Sequence, residues 1–213
     1  MYEIASKDLF RLNQDNSRIV GIVLAAGLST RMGRPKQLLP LGDSTVIEVV
    51  VKQVRSQLDH VIVVLGHMAD EIGPVLATCE VRCVVNEHYC AGMTTSVQCG
   101  IAASRERGGD ATGYLICLGD QPGVGPGAVR AVIAAASSGT GIVIPRFRGR
   151  RGHPIFVSAN YTDEIFRLGE DAGLNQVTGR HPDDTAEIEV EDEGVLADLD
   201  TPEDYRRELR RLR

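Results

Sequence analysis

Short apolar runs alternate with amphipathic stretches along this chain, and that rhythm constrains the fold more than any other feature. Ile19–Ala25 is an unbroken apolar run closing on Ala26-Gly27, the pattern of a strand buried on both faces. Similar runs at 60–65, 81–85, 114–118 and 141–145 predict further strands. Between them, Val46, Ile47, Val50, Val51 and Val54 recur at helical spacing behind Ser44 as N-cap. Helices are also expected over 70–77, 94–107 (capped by Thr94 or Thr95) and 126–137, the last with Pro126 in its first turn, where a missing N–H costs nothing. Strand–helix alternation of this kind implies right-handed crossovers and a parallel sheet. After Pro145 the pattern weakens. There 147–152 reads as a basic, Gly-rich loop, 154–157, 186–190 and 195–199 as short strands, and 161–168 and 202–212 as helices. The expected fold class is α/β, a mostly parallel central sheet flanked by helices in three layers.

Composition narrows the setting. At 213 residues the chain suits one domain of somewhat more than about 150 residues, taken here as 19–213 behind an extension over 1–18. Aromatics are 4% of residues and Trp is absent, so Val, Ile, Leu and Ala must fill the core. The net charge of −6 argues against a general nucleic-acid or membrane-surface binder, since both need a basic face. Cys79, Cys83, Cys90, Cys99 and Cys117 are odd in number and form no CxxC pair, which reads as reduced, mostly core-filling thiols in a cytoplasmic protein. No leader-like apolar segment opens the chain and no window approaches 18 apolar residues, so a membrane location is not expected.

Three segments carry chemistry. The densest is Leu24-Ala25-Ala26-Gly27-Leu28-Ser29-Thr30-Arg31, continuing to Lys36. Small residues and free backbone N–H groups at the carboxyl end of a strand can cradle a phosphate, and Arg31 and Lys36 would neutralise its charge. An ordinary strand–helix turn with a solvated basic flank fits the same residues. The spacing matches neither the dinucleotide fingerprint nor a Walker loop. The second segment is Leu118-Gly119-Asp120-Gln121-Pro122, which puts an acid at a strand end, where Mg²⁺ would be held or a turn would be made. The third is Asp198-Leu199-Asp200-Thr201-Pro202. Thr201 and Pro202 open the last helix, while Asp198 and Asp200 are expected on one face of a strand end, as period two requires.

Together these segments resemble the MobA-like nucleotidyltransferase family. Leu24 to Gly42 carries its long L-A-A-G-L-S-x-R-M-G-x-P-K-x-L-L-P-L-G motif, joined by Gly92-Met93-Thr94-Thr95-Ser96-Val97, Gly119-Asp120-Gln121-Pro122, Gly152-His153-Pro154 and Asp198-Leu199-Asp200-Thr201-Pro202. Ala25-Ala26 and Gly-His-Pro look most like the molybdenum cofactor cytidylyltransferase branch. The resemblance implies a Rossmann-like nucleotidyltransferase fold. It also implies a nucleotide held by Leu24, Ala25, Ala26, Gly27, Ser29 and Gly119, with Arg31 and Lys36 on the β and γ phosphates. Thr95 and Ser96 would lie near base and ribose, Asp120 and Asp200 would hold Mg²⁺, and His153 and Gln121 would face the acceptor. One departure is that the family's Gly-Asp-x-Gly-Ala-Arg is here Gly169-Glu170-Asp171-Ala172-Gly173-Leu174-Asn175, without the Arg.

The implied reaction transfers CMP from CTP to the phosphate of a molybdopterin-type acceptor, with pyrophosphate leaving in line and a molybdoenzyme or its accessory protein receiving the product. A phosphomonoester is already largely ionised at pH 7, so positioning and charge neutralisation suffice. The alternatives are GTP or another phosphorylated acceptor, or a nucleotide-binding accessory protein without turnover. His67 reads as a cap or a cleft residue. His88 and Cys90 lack further ligands at metal-site spacing. The Arg146 to Arg151 run reads either as a solvated loop or as an acceptor-phosphate contact.

Overall fold

The computed structural model describes residues 18–29, 32, 35–106, 110–170 and 172–211; the expected extension, apart from Arg18, and Arg31 lie outside them. The strands are β1 (Ile19–Ala25), β2 (Pro40–Leu41), β3 (Ser44–Thr45), β4 (His60–Leu65), β5 (Arg82–Val85), β6 (Gly113–Leu118), β7 (Ile142–Phe147), β8 (Arg150–Arg151), β9 (Ile155–Ser158) and β10 (Thr185–Glu189). The helices are α1 (Val46–Arg55), α2 (Ala69–Val75), α3 (Met93–Arg105), α4 (Pro126–Ala136), α5 (Thr162–Phe166), α6 (Asn175–Arg180) and α7 (Pro202–Arg211). The main sheet has eight strands in the order β10-β7-β9-β6-β1-β4-β5, with β8 paired to β7, while β2 and β3 form a separate small hairpin.

Strand β1 is the centre of this sheet, parallel to both β4 and β6. Its alternate side chains divide between two cores. Ile19, Val23 and Ala25 pack under α1 and α4 with Val63, Leu115 and Val129, whereas Val20 and Ile22 face α3 with Ile62, Val97, Ile101 and Ile116. This period-two division explains why the run is apolar throughout. Gly100 of α3 lies so close that a Cβ there would come within 2.5 Å of Ile22. The sheet is mostly parallel, but β9 runs antiparallel to β6 and β7, so β6 and β7 point the same way and their carboxyl ends share one edge. No helix among the described residues is long and apolar enough to cross a membrane.

Three local expectations are corrected. The N-cap of α1 is Thr45, not Ser44: its hydroxyl accepts from the Glu48 N–H and the Glu48 carboxylate accepts from the Thr45 N–H, a reciprocal capping box. Helix α3 begins after Gly92, whose φ of +116° suits glycine; Thr94 and Thr95 lie inside the helix and send their hydroxyls to the carbonyls of Ala172 and Gly92. Finally, 195–199 contains no strand. A 3₁₀ turn, Glu193–Leu196, is followed by irregular backbone, so the period-two argument for Asp198 and Asp200 does not hold.

Candidate functional site

The candidate site lies along the carboxyl edge of the sheet, where parallel α/β folds leave a crevice. Past β1, Ala26 is buried while Gly27 and Leu28 are exposed, and a Cβ built at Gly27 would meet nothing within 4 Å. Ser29 turns the chain with a left-handed φ of +51°. Its hydroxyl donates to Gln37 Oε1 (3.2 Å) and accepts from the Lys36 N–H (3.3 Å), and its carbonyl accepts from the Met32 N–H (3.0 Å). These bonds fold the loop back so that Lys36 opens a 3₁₀ turn, Lys36–Leu38, over the end of the sheet.

Lys36 reaches the acid of the next strand. Its Nζ donates to Asp120 Oδ2 and, at 3.1 Å, to Asp200 Oδ1. Burial alone would lower the lysine pKa, but the charge of Asp120 and then the hydrogen bonds to Asp120 and Asp200 outweigh it and leave it raised. Strand β6 sets Asp120: the Gly119 N–H donates to the Leu24 carbonyl (2.9 Å), and a Cβ at Gly119 would sit 2.8 Å from that same oxygen. Ala25 is buried in β1 and Leu24 half-buried, so both reach the site through backbone.

A third apolar cluster brings Asp200 in. Leu39, Leu41, Val46 and Leu199 pack with Tyr205 and Leu209 of α7, and the Tyr205 hydroxyl donates to the Pro40 carbonyl. The Leu199 N–H donates to the Asp120 carbonyl (3.0 Å). The β2–β3 hairpin and the last helix therefore clasp the loop that carries Lys36 against the segment that carries Asp200.

His153 and Gln121 lie on the β9 side. The His153 N–H donates to the Val195 carbonyl (3.0 Å). Burial, opposed in part by the nearby charge of Asp120, lowers the imidazole pKa to about 4, so His153 is neutral at pH 7. Gln121 is buried, with its amide on Asp198 and Val195. Thr95 and Ser96 lie at the opposite end, past β5. Their hydroxyls accept from Asn86 Nδ2 at 2.9 and 3.0 Å. Asn86 is a residue that sequence reasoning missed; its one signal is an amide side chain immediately after a strand. Asn86 N–H in turn donates to the Leu65 carbonyl and Asn86 Oδ1 accepts from the His88 N–H. The structure thus gathers Lys36, Asp120 and Asp200 into one contact group, with His153 beside it, and sets Thr95 and Ser96 at the far end of the same edge.

The remaining candidates are structural in their contacts. Arg146 and Arg151 both pair with Glu187, and the turn between them has left-handed φ at Arg148 and Gly149, so the basic loop is a hairpin tip. All five cysteines are free thiols, and burial pushes Cys117 up to about 12, which leaves it inert as a nucleophile. His67 stacks at a tilt near Tyr89.

Among the described residues no three His, Cys, Asp or Glu side chains form a self-sufficient metal-binding group. Two carboxylates sharing one cation do suit Mg²⁺, a hard ion that keeps several waters and takes its remaining ligands from substrate phosphate.

The model of the MobA-like NTP transferase domain matches residues 21–185. Molybdenum cofactor cytidylyltransferase of Escherichia coli is 27% identical over 192 residues, 89% of this chain and 94% of its own. Purine catabolism protein PucB of Bacillus subtilis is 31% identical, over 88% and 94%. Rv0371c of Mycobacterium tuberculosis, solved in complex with manganese, superposes with a TM-score of 0.75 at 37% identity, covering 91% of this chain and 98% of its own. Relatives named probable molybdenum cofactor guanylyltransferases match as well.

Proposed function

The chain belongs to the MobA-like NTP transferase family, and from that premise we propose that it transfers CMP from CTP to the terminal phosphate of a molybdopterin-type cofactor. An acceptor phosphate oxygen attacks the α-phosphorus, the bond to the bridging oxygen breaks, and pyrophosphate leaves with those electrons. The observation that carries this reading is the seat of Lys36 between Asp120 and Asp200, beside the open loop after β1.

The backbone of Ala26, Gly27 and Ser29 would take the phosphates, and Arg31 and Lys36 would neutralise the β and γ groups. Gly119 permits the close approach of β6 to the Leu24 carbonyl, which would hold Asp120 toward the phosphates. Thr95 and Ser96, braced by Asn86, would border base and ribose. His153, neutral and half-enclosed, would face the acceptor, with Gln121 acting on that side through the Val195 carbonyl that also takes the His153 N–H. Asp120 and Asp200 would hold Mg²⁺, which would supply charge neutralisation at the phosphates; the manganese complex of Rv0371c supports a divalent ion here. The cytidylyltransferase among the relatives and the Ala25-Ala26 pair support CTP. The product would pass to a molybdoenzyme or its accessory protein, in the cytoplasm, in keeping with the free thiols. Neither nucleic acid nor membrane enters the reading.

The test mixes the purified protein with Mg²⁺, molybdenum cofactor and each of CTP, GTP, ATP and UTP, and measures pyrophosphate. Release with CTP, lost in Asp120→Asn, is expected. Release with GTP instead would keep the mechanism and overturn the base. Nucleotide binding without release, unchanged in Asp120→Asn, would favour the accessory-protein reading.

A further inference from the structure

We infer that Gln121 is a positioning residue of the cation site: its buried amide holds Asp198 and the Val195 carbonyl, and so seats Asp200 beside Asp120 and Lys36. The inference rests on the reading of Asp120 and Asp200 as the ion-holding pair.

Gln121 follows Asp120 directly, yet it is 3% exposed and so cannot present itself to a ligand on the open edge. Its Nε2 instead donates to Asp198 Oδ1 at 2.7 Å and, more weakly, to the Val195 carbonyl at 3.4 Å. That carbonyl also receives the His153 N–H. One buried side chain therefore links the segment after β6 to the segment that carries Asp200, at the point where His153 is tied in.

Such ties matter because 198–200 lies in neither a strand nor a helix. Without a backbone ladder, its path must be set by individual hydrogen bonds and by packing of Leu199. The Leu199 N–H bond to the Asp120 carbonyl is one such tie; the Asp204 carboxylate, which accepts from the backbone of Asp200 and Thr201, is another; the Gln121 amide on Asp198, two residues from Asp200, is the one that links the segment to the buried side of β6. Without the Gln121 amide, the link between the Asp198 side chain and the segment after β6 is lost, two residues from Asp200.

The experiment uses the full chain and the variants Gln121→Glu, Gln121→Leu, Asp198→Asn and the double variant Gln121→Glu/Asp198→Asn. Free Mn²⁺ is followed by electron paramagnetic resonance without nucleotide, and amide hydrogen exchange is followed at Leu199. Asp198→Asn keeps an oxygen for Gln121 and should stay within about threefold of wild type. Gln121→Glu sets two carboxylates against each other and should weaken Mn²⁺ at least tenfold and speed exchange at Leu199. The double variant restores an amide–carboxylate pair with the roles exchanged and should return both readouts to those of Asp198→Asn. A general loss of packing gives no such rescue. Gln121→Leu, which keeps the bulk and removes the donor, should speed exchange at Leu199 even if the glutamate variant does not fold. Wild-type exchange in Gln121→Leu, or a double variant no better than Gln121→Glu, overturns the inference. If Asp120→Asn and Asp200→Asn leave Mn²⁺ binding intact, the ion-site reading fails, and exchange at Leu199 still decides the role of Gln121.

Discussion

Replacing Lys36 with Met removes the ammonium that joins Asp120 and Asp200 and keeps much of the bulk. At 3.1 Å and an effective dielectric near 20, the attraction between Lys36 and Asp200 is about 5 kcal/mol before the cost of desolvation. Asp200 is 37% exposed, so solvent screens part of this. Loss of a partner from a half-buried charge group of this kind should cost about 2–4 kcal/mol of folding stability. The same ammonium also competes with any divalent ion for the two acids. If about a quarter of the attraction survives screening, its removal favours the ion by about 1.3 kcal/mol, roughly tenfold in affinity. Lys36→Met should therefore unfold at lower urea than wild type without metal, recover much of that loss in millimolar Mn²⁺, and bind Mn²⁺ about tenfold more tightly by paramagnetic resonance. Pyrophosphate release should nonetheless fall by at least a hundredfold, because the phosphate contact proposed for Lys36 is gone. Mn²⁺ binding that is equal to wild type or weaker would refute the argument that lysine and metal share one seat.

Other outcomes follow from single contacts. The folded His153 pKa of about 4 lies below the ordinary imidazole value of 6.5 because burial disfavours the charged ring, so the unfolded chain takes up the proton first as pH falls. Its contribution is intact above about pH 6.5 and is lost between there and about pH 4, by at most about 3 kcal/mol; urea melts across that range should be flatter for His153→Gln than for wild type. Gly92→Ala forces a side chain onto φ +116° and to 2.7 Å from the Glu170 carbonyl, and should cost about 2 kcal/mol or more, read from urea midpoints. Asn86→Leu should raise the KM for nucleotide several-fold with kcat nearly unchanged, because Thr95 and Ser96 lose their shared donor while the Lys36 group is untouched.

Sequence alone was enough to determine the central architecture. The run at Ile19–Ala25 is apolar on both alternating faces, and strand β1 is buried between α1 and α4 on one side and α3 on the other. Glycine and small residues after β1 likewise announced an open loop, and Asp120 just past β6 was visible as an acid following an apolar run. These features are local: side-chain periodicity and turn chemistry act over a few residues, so they can be read along the chain.

Only the tertiary structure could decide the rest. Lys36 and Asp200 are 164 residues apart, and no periodicity joins them; packing of Leu199, Tyr205 and Leu209 onto the β2–β3 hairpin does. Period two placed Asp198 and Asp200 on one strand face, but the segment has no strand, and the two acids diverge toward Gln121 and Lys36. The family resemblance implied that Gln121 would face the acceptor, while the fold buries its side chain against Asp198 and Val195. The antiparallel insertion of β9 between β6 and β7 also had no local signal. Each of these depends on which distant apolar surfaces find one another, and a polar side chain takes its partner from that outcome and not from its neighbours in sequence.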